Sequence, residues 1–360
     1  MNCAQRIEKV FRGELLDRVP FALKGWRIPQ CRAERELRND GLGIVDARSA
    51  YSTHSPNVKT ESHHYTENGQ SLRRTTIKTP VGDLTSVSRP MASEKTESTT
   101  WLIEPPFKRP EDYKILQFIA RDKCYKPAYE GFLKAQSQMD GEAFFKTSAP
   151  GIALHTIMYN YMQVETFSVE WAERRDELIT LHNIMTENQR DIYSIVAQSP
   201  ALVVQCGGNY ASEVLGKQRF TDFVLPHWEE VCDILHKGDK LVGCHLDANN
   251  QLWAEEVGTS DLDWIEAFSP APDTNMTVAD ARAAWPGKTL FINFPSALHL
   301  EPPDVVAAHT RQILKDAAPG DRFIIGITEN VPENCWRQSF RAILDTCNTC
   351  GVLPIDPNRL

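Results

Sequence analysis

The sequence predicts an α/β fold built on a parallel sheet, and three observations carry that reading. From about residue 201 onward, short β-branched apolar runs alternate with helix-length amphipathic stretches, the pattern of βαβ units. Three of those stretches run out at a glycine, in HKG, WPG and APG, the residue suited to a left-handed cap at a helix C-terminus. The chain has 360 residues. Against a norm of ~150 residues per domain, that admits either two domains or one large (β/α)8 barrel.

The elements follow in order. FALKGW (21–26) and AFFKTSAPG (143–151) read as strands. ALVVQCGG (201–208), KLVGCHLD (240–247), LDWIEAFSP (262–270), TLFINFP (289–295) and RFIIGITEN (322–330) read as five more. Helical patterns occupy 220–238, 277–287, 304–320 and a long stretch from about 164 to 198. Seven strands are visible this way, and the eighth is not located. Between the first two, residues from about 50 to 105 are rich in Thr and Ser and contain TTIKTPVGDLTSVS, whose alternation around a Pro-Val-Gly-Asp turn is a hairpin signal. These residues are expected to form an antiparallel β insertion after the first barrel strand, a lid or wall within a single domain over 1–360.

Composition narrows the function classes. Lys and Arg number 39 against 48 Asp and Glu, a net charge of −9, so no global basic field exists to hold nucleic acid or an anionic membrane. Apolar residues make up 41% and charged residues 24%, which is ordinary for a chain that buries a core. The longest apolar runs fall far short of the roughly 18 residues that span a bilayer, and the start lacks the apolar core of a secretion signal. The expected location is the cytoplasm. Nine scattered cysteines, an odd number, give no disulfide framework. Cys347 and Cys350 form a lone CxxC without the second pair that a zinc site needs, and His63 and His64 lie in a polar stretch that predicts exposure.

In a barrel of parallel strands the chemistry sits at the strands' C-terminal ends. The polar residues there are Lys24, Trp26 and Arg27, then Asn209 and Tyr210, then His245, Asp247 and Asn249, then Glu266, Asn293, Thr328, Glu329 and Asn330. His245 and Asp247, two apart, share a face of an extended strand. With Glu266 and Glu329 they could converge on a divalent metal, whose mixed nitrogen and oxygen donors suit Zn, Mn, Fe or Co. The alternative is that they cap helices or bond one another. Glu266 stands out because a carboxylate in the apolar run DWIEAF needs a partner or a proton. Trp26, Arg27, Asn209, Tyr210 and Asn293 are the candidate pocket residues.

The stretch RIEKVFRGELLDRVPF (6–21) resembles the opening signature of the uroporphyrinogen decarboxylase superfamily. TPVG at 79–82, the F-x-x-F-x-L-P helix at 220–226 and H-x-D at 245–247 follow in the same order. The resemblance implies a single (β/α)8 barrel, a fold whose members are often dimers. True uroporphyrinogen decarboxylases carry an arginine-rich M-R-Q-A-G-R loop after the first strand and a catalytic Asp in an F-D-S motif. Here the loop reads KGWRIPQ and no F-D-S counterpart is found. The resemblance is therefore closer to the cobamide-dependent methyltransferases of the superfamily, which hold zinc through His-x-Cys and a later Cys. His245 matches that histidine, Asp247 and Glu329 stand where the thiolates would be, and Glu266 falls where a carboxylate ligand can occur.

What this implies is a metal-assisted methyltransferase or O-demethylase. Zinc would be held by His245, Asp247, Glu266 and Glu329, with Asp247 as alternative general base, and the methyl group would pass to a corrinoid protein from a small oxygenated substrate. The alternatives are a decarboxylase of porphyrin biosynthesis, which predicts a cationic pocket, and a non-catalytic binding protein of the same fold, which predicts no convergent polar constellation.

Overall fold

The computed structural model describes residues 1–90 and 100–360. Eight parallel strands close a barrel: β1 (Phe21–Leu23), β2 (Gly43–Ala47), β3 (Phe144–Ala149), β4 (Val203–Gly208), β5 (Leu241–His245), β6 (Trp264–Phe268), β7 (Thr289–Asn293) and β8 (Phe323–Ile327). Each strand pairs with the next, and β1 closes on β8 with Ala22 opposite Gly326. The strand that the sequence left unlocated is β2, whose short apolar run Gly-Ile-Val ends at once in Asp46. The antiparallel strands consequently follow the second barrel strand and not the first.

Within the chain two compact units can be distinguished. The barrel unit comprises Met1–Ala50, Ala128–Ala149 and Val196–Leu360. Its floor is helix α1 (Cys3–Arg12), which starts at Asn2 in a capping box with Gln5 and stops at Gly13, whose φ of +67° is the left-handed conformation glycine tolerates. Ile7, Val10 and Phe11 on one face of α1 pack on Ala22, Val45, Phe144, Val203, Trp264, Phe291 and Ile324, one inward residue from most of the strands. Phe11 stacks on Phe144 at 5.5 Å and meets Trp264 edge-on at 5.2 Å. The opening signature thereby acquires a physical basis. Arg6 makes two 2.8 Å hydrogen bonds to the Asp17 carboxylate, tying α1 to the turn that leads into β1, and holds the Asp17 pKa down at about 2.

Because side chains alternate along a strand, the residue two beyond each floor residue also faces inward. That places Lys24, Lys146, Gln205, Glu266 and Asn293 one layer above the floor, with His245 from β5 beside them. Gly243 has no side chain because Trp264 fills its space: a Cβ there would lie 2.3 Å from the Trp264 ring and carbonyl oxygen. The predicted helix-ending glycines act slightly later than expected. Gly287 and Gly320 have positive φ, but lie beyond helices that end at Ala284 and Asp316, and near Gly238 it is Asp239 that takes φ +57°.

The second unit comprises Tyr51–Pro127 and Pro150–Ile195. Lys59–Glu67, Gln70–Thr79, Gly82–Pro90 and Thr100–Glu104 form a four-stranded antiparallel sheet in that order, and Tyr51–His54 pairs with Cys124–Pro127. The helix predicted over 164–198 is two, Gln163–Glu173 and Arg175–Ala197, broken at Arg174. Arg174 grips Glu170, which also accepts the Tyr113 hydroxyl at 3.0 Å. Among the described residues no helix is long and apolar enough to cross a membrane.

Candidate active site

The upper layer of the barrel holds a chain of ionised groups. Glu266 on β6 is fully buried, and both of its oxygens are engaged. Oε1 accepts a hydrogen bond from the Lys146 ammonium on β3 and lies 3.9 Å from Lys24 Nζ at the end of β1. Oε2 faces His245 Nδ1 at 3.0 Å, and His245 Nε2 lies 3.3 Å from Asp247 Oδ2. Lys146 also donates to Gln205 Oε1 at 2.7 Å, and its Nζ stands 5.0 Å from the centre of the Trp264 ring.

Local backbone features set this geometry. Asn209 donates its N–H to the His245 carbonyl at 3.0 Å. Gly208, at φ +150°, leaves no room for a side chain, since a Cβ would fall 2.4 Å from His245 Cβ. The GGN stretch, which the sequence associates with close approach to the backbone, is therefore approached by His245 itself. On β6 the register shifts between Glu266 and Phe268, and Ala267 takes φ +60°, a conformation costly for a residue with a Cβ. The bulge lies immediately beside Glu266.

Electrostatics follow from burial and pairing. Burial works against charge on His245, but Asp247 and Glu266 outweigh it and raise its pKa to about 9, so the ring is an imidazolium at neutral pH. Burial opposes ionisation of Glu266 too, and the Lys146 charge, His245 and Lys24 overcome it, holding the carboxyl far below the usual range. Asp247 is lowered by His245 against its own burial. Lys146 is pushed down by burial, with Glu266 pulling the other way.

The expected metal site is not what these residues build. His245, Asp247 and Glu266 are brought together, but both ring nitrogens of a protonated His245 point at carboxylates, so no lone pair is offered to an ion. Both Glu266 oxygens are already engaged, Oε1 by Lys146 with Lys24 nearby and Oε2 by His245. Glu329 is exposed beyond β8. Among the described residues no three His, Cys, Asp or Glu side chains are placed to hold an ion. Zinc or another divalent metal does not fit this donor set.

The other predicted residues divide. Trp26 is 46% exposed and lies under the Arg27 guanidinium at 4.1 Å, while Arg27 donates to Asn330 Oδ1 at 2.6 Å, forming a rim wall. Asn209 is exposed at the end of β4. Tyr210 is no pocket wall, being buried in an aromatic cluster against Phe220 and Trp228. Asn293 is also buried: it accepts the Thr328 N–H at 2.8 Å and donates to Ser269 and Ser296, tying β7 to its neighbours. Sequence reasoning overlooked Lys146 and Gln205. The signal was present, because a lysine two residues after the inward Phe144 in Phe-Phe-Lys-Thr has the parity of the barrel interior.

All nine cysteines are free thiols. Cys347 of the CxxC is buried, which pushes its pKa up to about 12, and His63 and His64 are exposed as expected.

A closed parallel barrel with ionised groups gathered at the C-terminal ends of its strands defines a TIM-barrel protein with an enzyme-like centre. Its family is shown by sequence: residues 103–349 match the family model Uroporphyrinogen decarboxylase (URO-D), and the chain belongs to that family. Among solved structures it is similar to a methyltransferase from Methanosarcina mazei, with a TM-score of 0.58 and 10% identity over 97% of this chain and 98% of that one. An L-Ala-D/L-Glu epimerase covers 84% of both chains at 9% identity, with a TM-score of only 0.25, and carries no argument. Comparison with curated protein sequences gives no match.

Proposed function

We propose that this member of the family is a methyltransferase in which the His245 imidazolium is the general acid. The observation that carries the reading is the continuous chain Asp247–His245–Glu266–Lys146, which holds a protonated imidazole at the end of a barrel strand. The fold shared with a methyltransferase is consistent with it. A substrate oxygen that takes the place of Asp247 at Nε2 receives the proton as the bond from that oxygen to its methyl carbon breaks, the electron pair staying on oxygen. Glu266 keeps its charge throughout and holds Nδ1–H, so the ring cannot turn, and Asp247 returns a proton to Nε2 from solvent. Trp26, Arg27 and Asn209 flank the substrate. A corrinoid carried by a partner protein would supply the nucleophile that accepts the methyl group. The substrate class is a small methyl ether.

A second reading is favoured by one specific observation. Three basic side chains, Lys24, Lys146 and His245, face two carboxylates, Glu266 and Asp247, and a centre so rich in basic groups attracts a carboxylate. In a decarboxylase the same Nε2 proton would quench the carbanion left by CO2 loss. The convergent polar chain speaks against a binding protein without chemistry.

The test incubates the purified protein with methyl-deuterated methoxy acids and free cob(I)alamin and follows demethylated product by mass spectrometry, with carbon dioxide release measured in parallel. Demethylation that falls about 100-fold or more in His245→Gln, with an alkaline limb near pH 9 in the wild type, is expected. Activity undiminished in that variant overturns the assignment, and carbon dioxide release without demethylation replaces it with the second reading.

A further inference from the structure

The second unit contains a cavity of about 1040 Å³ that the chemistry above does not use. One wall is the four-stranded sheet, from which Arg73, Ser86 and Ser88 line the space together with Trp101 on the edge strand. The other is the turn of π-helix Ile157–Met162 and the residue after it, contributing Tyr159 and Gln163. We infer that this cavity is a binding site for a small organic anion with a flat aromatic body.

Four features converge on that class. The volume lies just above the roughly 300–1,000 Å³ found for small-molecule sites, large enough for a fused-ring ligand. Trp101, 61% exposed, and Tyr159 provide ring faces to cover an aromatic plane. Arg73 is the one charged side chain among the described lining residues, in a protein whose overall charge is −9. Its Nε donates to Ser88 Oγ at 3.3 Å, and that hydroxyl donates in turn to the Arg73 carbonyl, which fixes the guanidinium fork against the sheet wall. Finally, the wall is built at a conformational cost. Gln163 has φ +63° and ψ 161°, a region essentially reserved for glycine, and it is held there by its amide donating to the Leu102 carbonyl at 2.6 Å. π-helical turns and such strained residues concentrate at ligand sites.

The inference stands apart from the barrel chemistry, so the two fail separately. The probe is 8-anilinonaphthalene-1-sulfonate, titrated by fluorescence and calorimetry against the full chain and its variants. Saturable binding of one equivalent is expected, weakened at least tenfold in Arg73→Gln and in Trp101→Ala and unchanged in Lys24→Met. The uncharged analogue N-phenyl-1-naphthylamine should bind at least tenfold more weakly than the sulfonate. Thermal melts show whether each variant folds, and the comparison of charged with uncharged probe on the wild type needs no variant. No saturable binding, equal affinity for the two probes, or loss of binding in Lys24→Met instead of Arg73→Gln overturns the proposal.

Discussion

Replacing Lys146 by Met isolates the ion pair on which the candidate site rests. Lys146 is 1% exposed and Glu266 0%, and the substitution keeps the length of the side chain while deleting its charge. Removing one partner of a buried pair costs about 3–5 kcal/mol, because the other charge is left without its counterpart. Lys24, at 3.9 Å, and the His245 imidazolium still face Glu266, so the lower end applies, about 3 kcal/mol. That corresponds to a fall of roughly 6–12 °C in the melting of the barrel unit. Glu266→Gln strands the ammonium instead and costs a similar amount. The double variant removes both charges, so its loss should fall short of the summed single losses by about 2 kcal/mol or more. Urea unfolding of the four proteins measures this. Single losses that add to within about 0.5 kcal/mol would show that the two groups are not coupled, and the account of the site would fail with them.

Three further outcomes follow from the geometry. His245 has a folded pKa of about 9 against an ordinary 6.5, so its contribution is fully present below pH 6.5 and is lost as pH rises through 9. The unfolding free energy from urea titrations should fall between those pH values in the wild type, by on the order of 3 kcal/mol for the shift, and stay level in His245→Gln. Asp17 has the opposite sign: its pKa is depressed to about 2, so its stabilisation is present above pH 4 and lost as pH falls through 2. It is half exposed, so after solvent screening Asp17→Asn should flatten the acid limb by only about 1 kcal/mol, read by circular dichroism. Gly208→Ala should displace His245, whose Cβ would lie 2.4 Å from the added methyl group, and lower turnover at least tenfold while a melt detects folded protein. Unchanged turnover would mean that the strand end does not position the imidazole.

The barrel was legible because seven of its strands are short apolar runs set between amphipathic stretches, and a periodic signal survives without tertiary information. β2 escaped because three apolar residues ending in Asp46 look like any loop. His245, Asp247 and Glu266 were legible as neighbours, since strand ends of a barrel converge whatever occupies them. Their chemistry was not, because a carboxylate beside a histidine reads as a ligand pair until the cation that neutralises it is seen. Lys146 lies 120 residues from Glu266 along the chain, and only closure of the barrel brings them together. Tyr210 shows a related limit: position at a strand end does not say whether a side chain turns to the barrel mouth or into the packing around it.

The pairing of β1 with β8 also orders events during synthesis. β1 is made before the seven other barrel strands and β8 after them, so one edge of β1 must wait for all of those strands before Phe21 finds Ile325. Through that interval α1 has no complete ring of inward side chains to cap, and an unpaired strand edge is a template for association with other chains. The Arg6–Asp17 clasp joins residues only eleven apart and needs no later strand. It can hold α1 against the entrance to β1 from the outset, so that the nascent chain carries its floor already folded toward the edge it has to protect.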